Sequence, residues 1–125
     1  TDFYFKVRFD ADFDNVVPGF LIKTLEGIFL YGTNSFVSTQ GREHIAAQAG
    51  DVKVFKFSLS LALNEGYYLI SFGISSGSPL QELIPLDRRY DSVLIQVGRA
   101  MQFWGIVDLE ASFHAIEKQA ESVIA

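Results

Sequence analysis

Cysteine is missing altogether from this 125-residue chain, which excludes disulfide stapling and agrees with a reducing compartment. Without thiolates, a transition-metal site would have to lean on carboxylates, because the two histidines, His44 and His114, lie far apart. Basic runs are missing too. The formal charge of −5 is spread along the chain, so wrapping a nucleic-acid backbone is not expected. No apolar run reaches the ~20 residues of a membrane-spanning helix. The first residues, Thr1-Asp2-Phe3-Tyr4, alternate like a strand and not like a signal peptide. No G-x-x-x-x-G-K-[ST] phosphate loop occurs. The chain carries no initiator methionine and opens in mid-pattern, so residues 1–125 are expected to be a single domain excised from a longer protein.

What is present is aromatic and short-range. Half the residues are hydrophobic, and twelve Phe with five Tyr stand against a single Met and a single Trp, a composition tilted toward β structure. Gly19–Ser35 reads as two strands, Phe20–Thr24 and Ile28–Tyr31, joined by a turn at Leu25-Glu26-Gly27. A polar tail, Gly32-Thr33-Asn34-Ser35, follows them. Phe3, Phe5, Val7 and Phe9 alternate with polar residues as a half-buried strand, and Asp12–Pro18 reads as a loop. Arg42–Gln48 has room for one or two helical turns. Val52–Leu63 alternates most clearly, with Phe55, Phe57, Leu59, Leu61 and Leu63 on one face. Asn64-Glu65-Gly66 predicts a hairpin into Tyr67–Ile74, which ends in a turn at Ser75–Pro79. Leu80–Leu86 is open between a helical turn and a crossover. Arg88–Val97 reads as a strand, Gly98–Gly105 as a connection, and Ile106–Phe113 as a further strand of lower contrast. His114–Ala125 carries apolar residues at helical spacing, which predicts a short C-terminal helix or a frayed end. Six to eight short strands favour a β-sandwich, with a closed barrel as the alternative.

Three constellations invite chemistry. Asp10, Asp12 and Asp14 form D-x-D-x-D, but Asn15 and Leu21 stand where an EF-hand needs Gly and Glu, so a solvated acidic loop is the preferred reading and no metal is expected. Gly73-Ile74-Ser75-Ser76-Gly77 matches G-x-S-x-G, with Asp87 or Asp91 and then His114 following in order. A nucleophile elbow needs a sharp strand-to-helix turn in an α/β sheet, and no βαβ unit is visible here. Catalysis and a cofactor are therefore not expected. Leu86-Asp87-Arg88-Arg89-Tyr90-Asp91-Ser92 is the densest charged patch. An Arg beside an aromatic can stack and donate to sugar hydroxyls or phosphate, while internal Asp–Arg pairing is the plainer alternative. Tyr31, Asn34, Arg88, Tyr90 and Trp104 are the candidate carbohydrate-contacting residues. Tyr31 and Trp104 also have an ordinary reading as core or interface aromatics. Leu69 and Leu94 fall opposite the apolar faces of their strands and are expected to point outward.

Taken in order, GFLIKTLEGIFLYGTNS, the Phe55–Ile74 segment, DRRYDSVLIQV and GIVDLEASF resemble the C-terminal carbohydrate-binding domain of Wzt, over about Phe3–Phe113. Wzt is the nucleotide-binding subunit of ABC transporters that export O-antigen polysaccharide. The resemblance implies an all-β, immunoglobulin-like antiparallel sandwich. It implies a non-catalytic module that binds the non-reducing end of the glycan at the cytoplasmic face of the bacterial inner membrane. It also implies a homodimer made by exchanging C-terminal strand material, with Ile106–Phe113 as the candidate swapped strand, and contact with the transporter's membrane subunit through the parent protein. A structural dimerisation module in a glycan-export or glycan-modifying protein is the alternative function.

Overall fold

The computed structural model describes residues 1–78 and 82–116. Among these residues, six strands and one short helix follow in the order β1 (Asp2–Arg8), β2 (Val16–Thr24), β3 (Phe29–Asn34), α1 (Ser35–Thr39), β4 (Val52–Ser58), β5 (Gly66–Ser78) and β6 (Glu82–Val97). They form two antiparallel sheets, β1-β4 and β3-β2-β5-β6. No ladder joins the two sheets among the described strands, so the arrangement is the immunoglobulin-like sandwich and not the closed barrel.

Period-two patterning explains how the sheets meet. Phe3, Phe5 and Val7 of β1 face inward with Phe55 and Phe57 of β4, while Tyr4, Lys6, Arg8, Val52, Val54 and Lys56 face out. Rings from the two sheets interlock: Phe20 of β2 meets Phe57 with centroids 4.9 Å apart, and Phe5 meets Phe72 of β5 at 4.7 Å. One buried cluster gathers Phe20, Ile22, Leu63, Tyr68 and Ile70; a second gathers Phe9, Val16, Ala47 and Ile74.

Several elements depart from what local pattern predicts, and tertiary pairing is the common cause. β2 begins at Val16, not Phe20. Asn15 anchors its start, with Nδ2 donating to the Gly77 carbonyl at 3.0 Å and Oδ1 accepting from the Ile45 N–H at 2.9 Å. Pro18 is tolerated inside β2 because the β2–β3 ladder starts only at Gly19↔Asn34, so no strand flanks Pro18 on that side. The Leu25–Gly27 turn is present, closed by the Gly27 N–H on the Thr24 carbonyl at 3.0 Å. Gly32-Thr33-Asn34 is no tail: it pairs with Leu21, Phe20 and Gly19 as part of β3. The helical turn falls at Ser35–Thr39 instead of Arg42–Gln48, because Asn34 caps it through Oδ1, which accepts from the Val37 N–H at 2.8 Å.

Regular β4 stops at Ser58, where its partner β1 runs out at Asp2. Leu59, Leu61 and Leu63 keep pointing at the core without a ladder. Asn64-Glu65-Gly66 is not a hairpin turn but the crossover between sheets, since β4 pairs with β1 while β5 pairs with β2 and β6. Of the expected Ser75–Pro79 turn, Ser75–Ser78 is strand and Pro79 lies outside the described residues; of Leu80–Leu86, Glu82–Leu86 belongs to β6 and Leu80 and Gln81 lie outside the described residues. Ile106–Phe113 is not a strand; only Val107 forms a bridge, to Leu63. Residues 114–116 are not helical, and the rest of the expected C-terminal helix lies outside the described residues.

Candidate functional site

The two faces of the four-stranded sheet do different work. Phe20, Ile22, Tyr68 and Ile70 look toward the β1–β4 sheet and are buried there. The alternate positions, Val17, Gly19 and Leu21 on β2 and Ser71, Gly73 and Ser75 on β5, look outward. These outward residues are mostly small, so the face is hollow at its centre. A cavity of about 290 Å³ lies there, floored by Gly19, Gly73, Ser71 and Ser75 and walled by Leu21, Asn34, Leu83, Arg88 and Tyr90.

The glycines of the floor face each other as the pair Gly19↔Gly73, yet they are there for different reasons. A Cβ at Gly19 would sit 2.9 Å from the Thr33 carbonyl oxygen and 3.2 Å from the Asn34 Cβ, so close strand packing demands glycine. A Cβ at Gly73 would meet the Asp87 carbonyl oxygen at 3.6 Å and the Arg88 Cγ at 3.8 Å, ordinary contacts. Packing leaves Gly73 free to carry a side chain. Its absence keeps the floor open, in the way strand glycines mark sites of close approach.

Three of the five sequence-predicted residues meet in this cavity: Asn34, Arg88 and Tyr90. Asn34 commits its carbonyl to the α1 cap, and its amide retains two N–H donors. The Arg88 Nη1 donates to the Tyr90 hydroxyl at 3.4 Å. Among the described residues, Arg88 is the single charged side chain lining the cavity. Its neighbours are self-paired: the Arg89 Nε donates to the Asp87 Oδ2 at 3.0 Å, and the Lys23 Nζ lies 2.8 Å from the Asp91 Oδ1. Asp87–Arg89 thus follows the plain pairing reading of the charged patch, whereas Arg88 forms no ion pair with a described residue.

The other two candidates are elsewhere. Tyr31 pairs with Ile22 and so lies on the opposite face from Asn34, half-exposed, with its ring 6.0 Å from Phe20. It borders a separate cavity with Leu30, Leu59 and Val107. Trp104 sits in the connection after β6, is 100% exposed and lines none of these hollows. Sequence reasoning missed Ser71, Gly73 and Ser75. Their signal was available: small residues on alternate positions, opposite the apolar face of the same strand.

The other constellations take structural roles. Gly73–Gly77 continues as strand to Ser78, so Ser75 stands on no strand-to-helix turn. The Asp12 carboxylate accepts from the Ala49 N–H at 2.7 Å and ties two loops together. Among the described residues no group of three or more His, Asp or Glu is placed to hold a metal ion. No described helix is long and apolar enough to cross a membrane. Leu69 and Leu94 form a direct cross-strand pair on the outward face, with Leu94 58% exposed.

The family model described as the Wzt C-terminal domain matches residues 1–109. A solved structure, the crystal structure of the C-terminal domain of Wzt, is 59% identical, superposes with a TM-score of 0.90, and is matched over 92% of this chain and 69% of its own. No curated protein matches the chain.

Proposed function

Because the chain belongs to the family of Wzt C-terminal domains, we propose that its outward cavity binds the non-reducing end of an O-antigen polysaccharide for ABC-transporter export. Binding is without catalysis and takes place at the cytoplasmic face of the inner membrane, within a parent protein that carries the ATPase and contacts the membrane subunit. The observation that carries this reading is the cavity itself: an open backbone floor at Gly73, amide donors from Asn34, and a planar guanidinium beside a phenol. Sugars present flat arrays of hydroxyls with an apolar ring face, which such a mixture of forked donor, aromatic edge and small-residue floor can match. With Arg88 as the only lining charge and no lining carboxylate among the described residues, the cavity favours a terminal residue bearing a hydroxyl-rich or anionic group.

Single-site affinity of about mM to μM is expected for such contacts, and pairing two domains on one tethered transporter would raise the avidity. Calorimetry with O-polysaccharide purified from the source strain tests the reading. Wild-type chain binds; Arg88→Ala loses about tenfold or more, the order expected for a charge-assisted contact; and Gly73→Val, which fills the floor, abolishes binding while the domain stays folded. A wild-type chain indifferent to the polysaccharide sinks the proposal.

A second reading, a dimerisation module, is favoured by a different observation. No described strand pairs with the outer edge of β1, and a cleft of about 500 Å³ runs between Tyr4–Arg8 and Asp87, Arg89 and Val93 of β6. Leu109 and Phe113 are 88% and 87% exposed in the segment proposed to exchange between protomers. Under this reading, disrupting Ile106–Phe113 abolishes export while Arg88→Ala leaves it intact.

A further inference from the structure

The β5–β6 ladder changes register beside the cavity. Ile70 pairs with Val93 and Phe72 with Arg89, so Tyr90, Asp91 and Ser92 together oppose Ser71 alone. Such a bulge bends its strand and re-aims the side chains on it. Here it carries Tyr90, one of the cavity walls, two positions beyond Arg88.

The bulge is held at one residue. Asp91 has φ 52°, in the left-handed region, which a non-glycine residue adopts only under constraint, Asp and Asn more readily than most. Its N–H donates to the Oγ of buried Ser71 at 2.8 Å, and its carboxylate lies 2.8 Å from the Nζ of Lys23. Lys23 belongs to β2, so this ion pair reaches across β5 and fixes the bulge to the strand on its far side. Ser92 adds a bond from its Oγ to the Ile70 carbonyl at 3.3 Å. Neither Asp91 nor Lys23 lines the cavity. Constraint is therefore concentrated on a residue that touches no ligand space, directly beside one that does.

We propose that Asp91, held by Lys23 across β5, is a positioning residue: it locks the β6 bulge so that the Tyr90 phenol and Arg88 guanidinium are presented together to the glycan. The inference rests on the cavity being the glycan site. It predicts that binding and stability separate at position 91. Glycine accepts φ 52° without strain but has no carboxylate, while asparagine tolerates the same backbone and keeps an oxygen that can accept from Lys23.

The test measures three quantities on the wild-type chain, Asp91→Gly, Asp91→Asn and Lys23→Met: affinity for source-strain O-polysaccharide, thermal midpoint, and the NMR signals of the Tyr90 ring without ligand. Asp91→Gly is expected to keep the wild-type midpoint yet bind about tenfold more weakly, the scale of one mispositioned aromatic contact, with its Tyr90 signals moved toward those of a free side chain. Lys23→Met follows it in direction, and Asp91→Asn restores binding and ring signals. The inference is overturned if Asp91→Gly binds like wild type, if its Tyr90 signals do not move, or if Asp91→Asn is as defective as glycine. Wild-type binding shown alongside any of these leaves the glycan reading standing and removes only the positioning role; a wild-type chain that does not bind removes both.

Discussion

The centre of the four-stranded sheet and the segment that follows it, Gly98–Ile116, are both apolar, and they end in opposite places. Ile70 of β5 is 1% exposed and pairs on both sides, with Ile22 and with Val93. Trp104, Leu109, Phe113 and Ile116 are between 80% and 100% exposed. Among the described residues, the segment is pinned only as far as Asp108. The Asn64 Nδ2 donates to the Phe103 and Gly105 carbonyls at 2.6 and 2.8 Å, the Asp108 N–H donates to the Ala62 carbonyl at 2.7 Å, and Arg99 pairs with Asp108 at 2.7 Å. Apolar character thus gives a core only where a facing layer supplies partners, with a ladder as at Ile70 or without one as at Leu63. Where they are absent it leaves adhesive surface, which the proposed exchange between protomers would cover.

The contrast is broken most severely at its buried end. Ile70→Ala is expected to lower unfolding free energy in urea by about 2–5 kcal/mol, whereas Phe113→Ala should stay within about 0.5 kcal/mol for the isolated chain. Comparable losses at both positions would mean that the C-terminal segment packs after all. A smaller effect is expected at the pin: Asn64→Ala, which leaves the Phe103 and Gly105 carbonyls without their donor, should cost about 1–3 kcal/mol. It should also open 98–108 to limited proteolysis while β5 stays protected from hydrogen exchange. Protection lost in both regions together would erase the distinction.

The least effect belongs to pH. Burial raises the Tyr68 phenol above its ordinary 10.0, and its hydroxyl donates to the Asn64 carbonyl at 2.7 Å. The folded state therefore keeps this proton after the unfolded chain has begun to lose it. The stability it contributes is full below the unfolded value and falls away as pH climbs through the folded one. Urea midpoints measured from about pH 8 to about pH 11 should decline at the alkaline end, and Tyr68→Phe should flatten that decline. An unchanged slope in Tyr68→Phe would assign the decline to other groups.

Much of the sandwich was legible because strand periodicity is local. Phe3 to Phe9, Phe55 and Phe57, and Tyr68 to Ile74 show their inward faces without any knowledge of partners. Pairing was not legible. Asn64-Glu65-Gly66 has hairpin composition yet joins two sheets, because the choice of partner strand is made by the core and not by the turn. Ile106–Phe113 alternates yet pairs only at Val107, since alternation creates an amphipathic ribbon but supplies no neighbour. In the candidate site, Asn34, Arg88 and Tyr90 carried a signal through their side-chain chemistry. Gly73 and Ser71 carried only a positional one, as small residues opposite an apolar face, because what Gly73 contributes is the space it leaves empty and what Ser71 contributes is the bulge it opposes. Tyr31 and Trp104 show the reverse failure: suitable rings, placed by register and loop away from the cavity.

By itself the sequence determined that this chain folds as β-strands with phenylalanine-rich inner faces, that it has no disulfides, and that one charged segment, Asp87–Asp91, sets an arginine beside a tyrosine. These follow from composition and from a period of two residues, which need no partner. The tertiary structure alone decided that Asn34, Arg88 and Tyr90 share one outward cavity while Tyr31 faces the other way. It also decided that Gly19 is required by packing while Gly73 is not, and that Lys23 reaches across a strand to Asp91. Each of these depends on register, and register is fixed once one face of the sheet is buried against its facing layer.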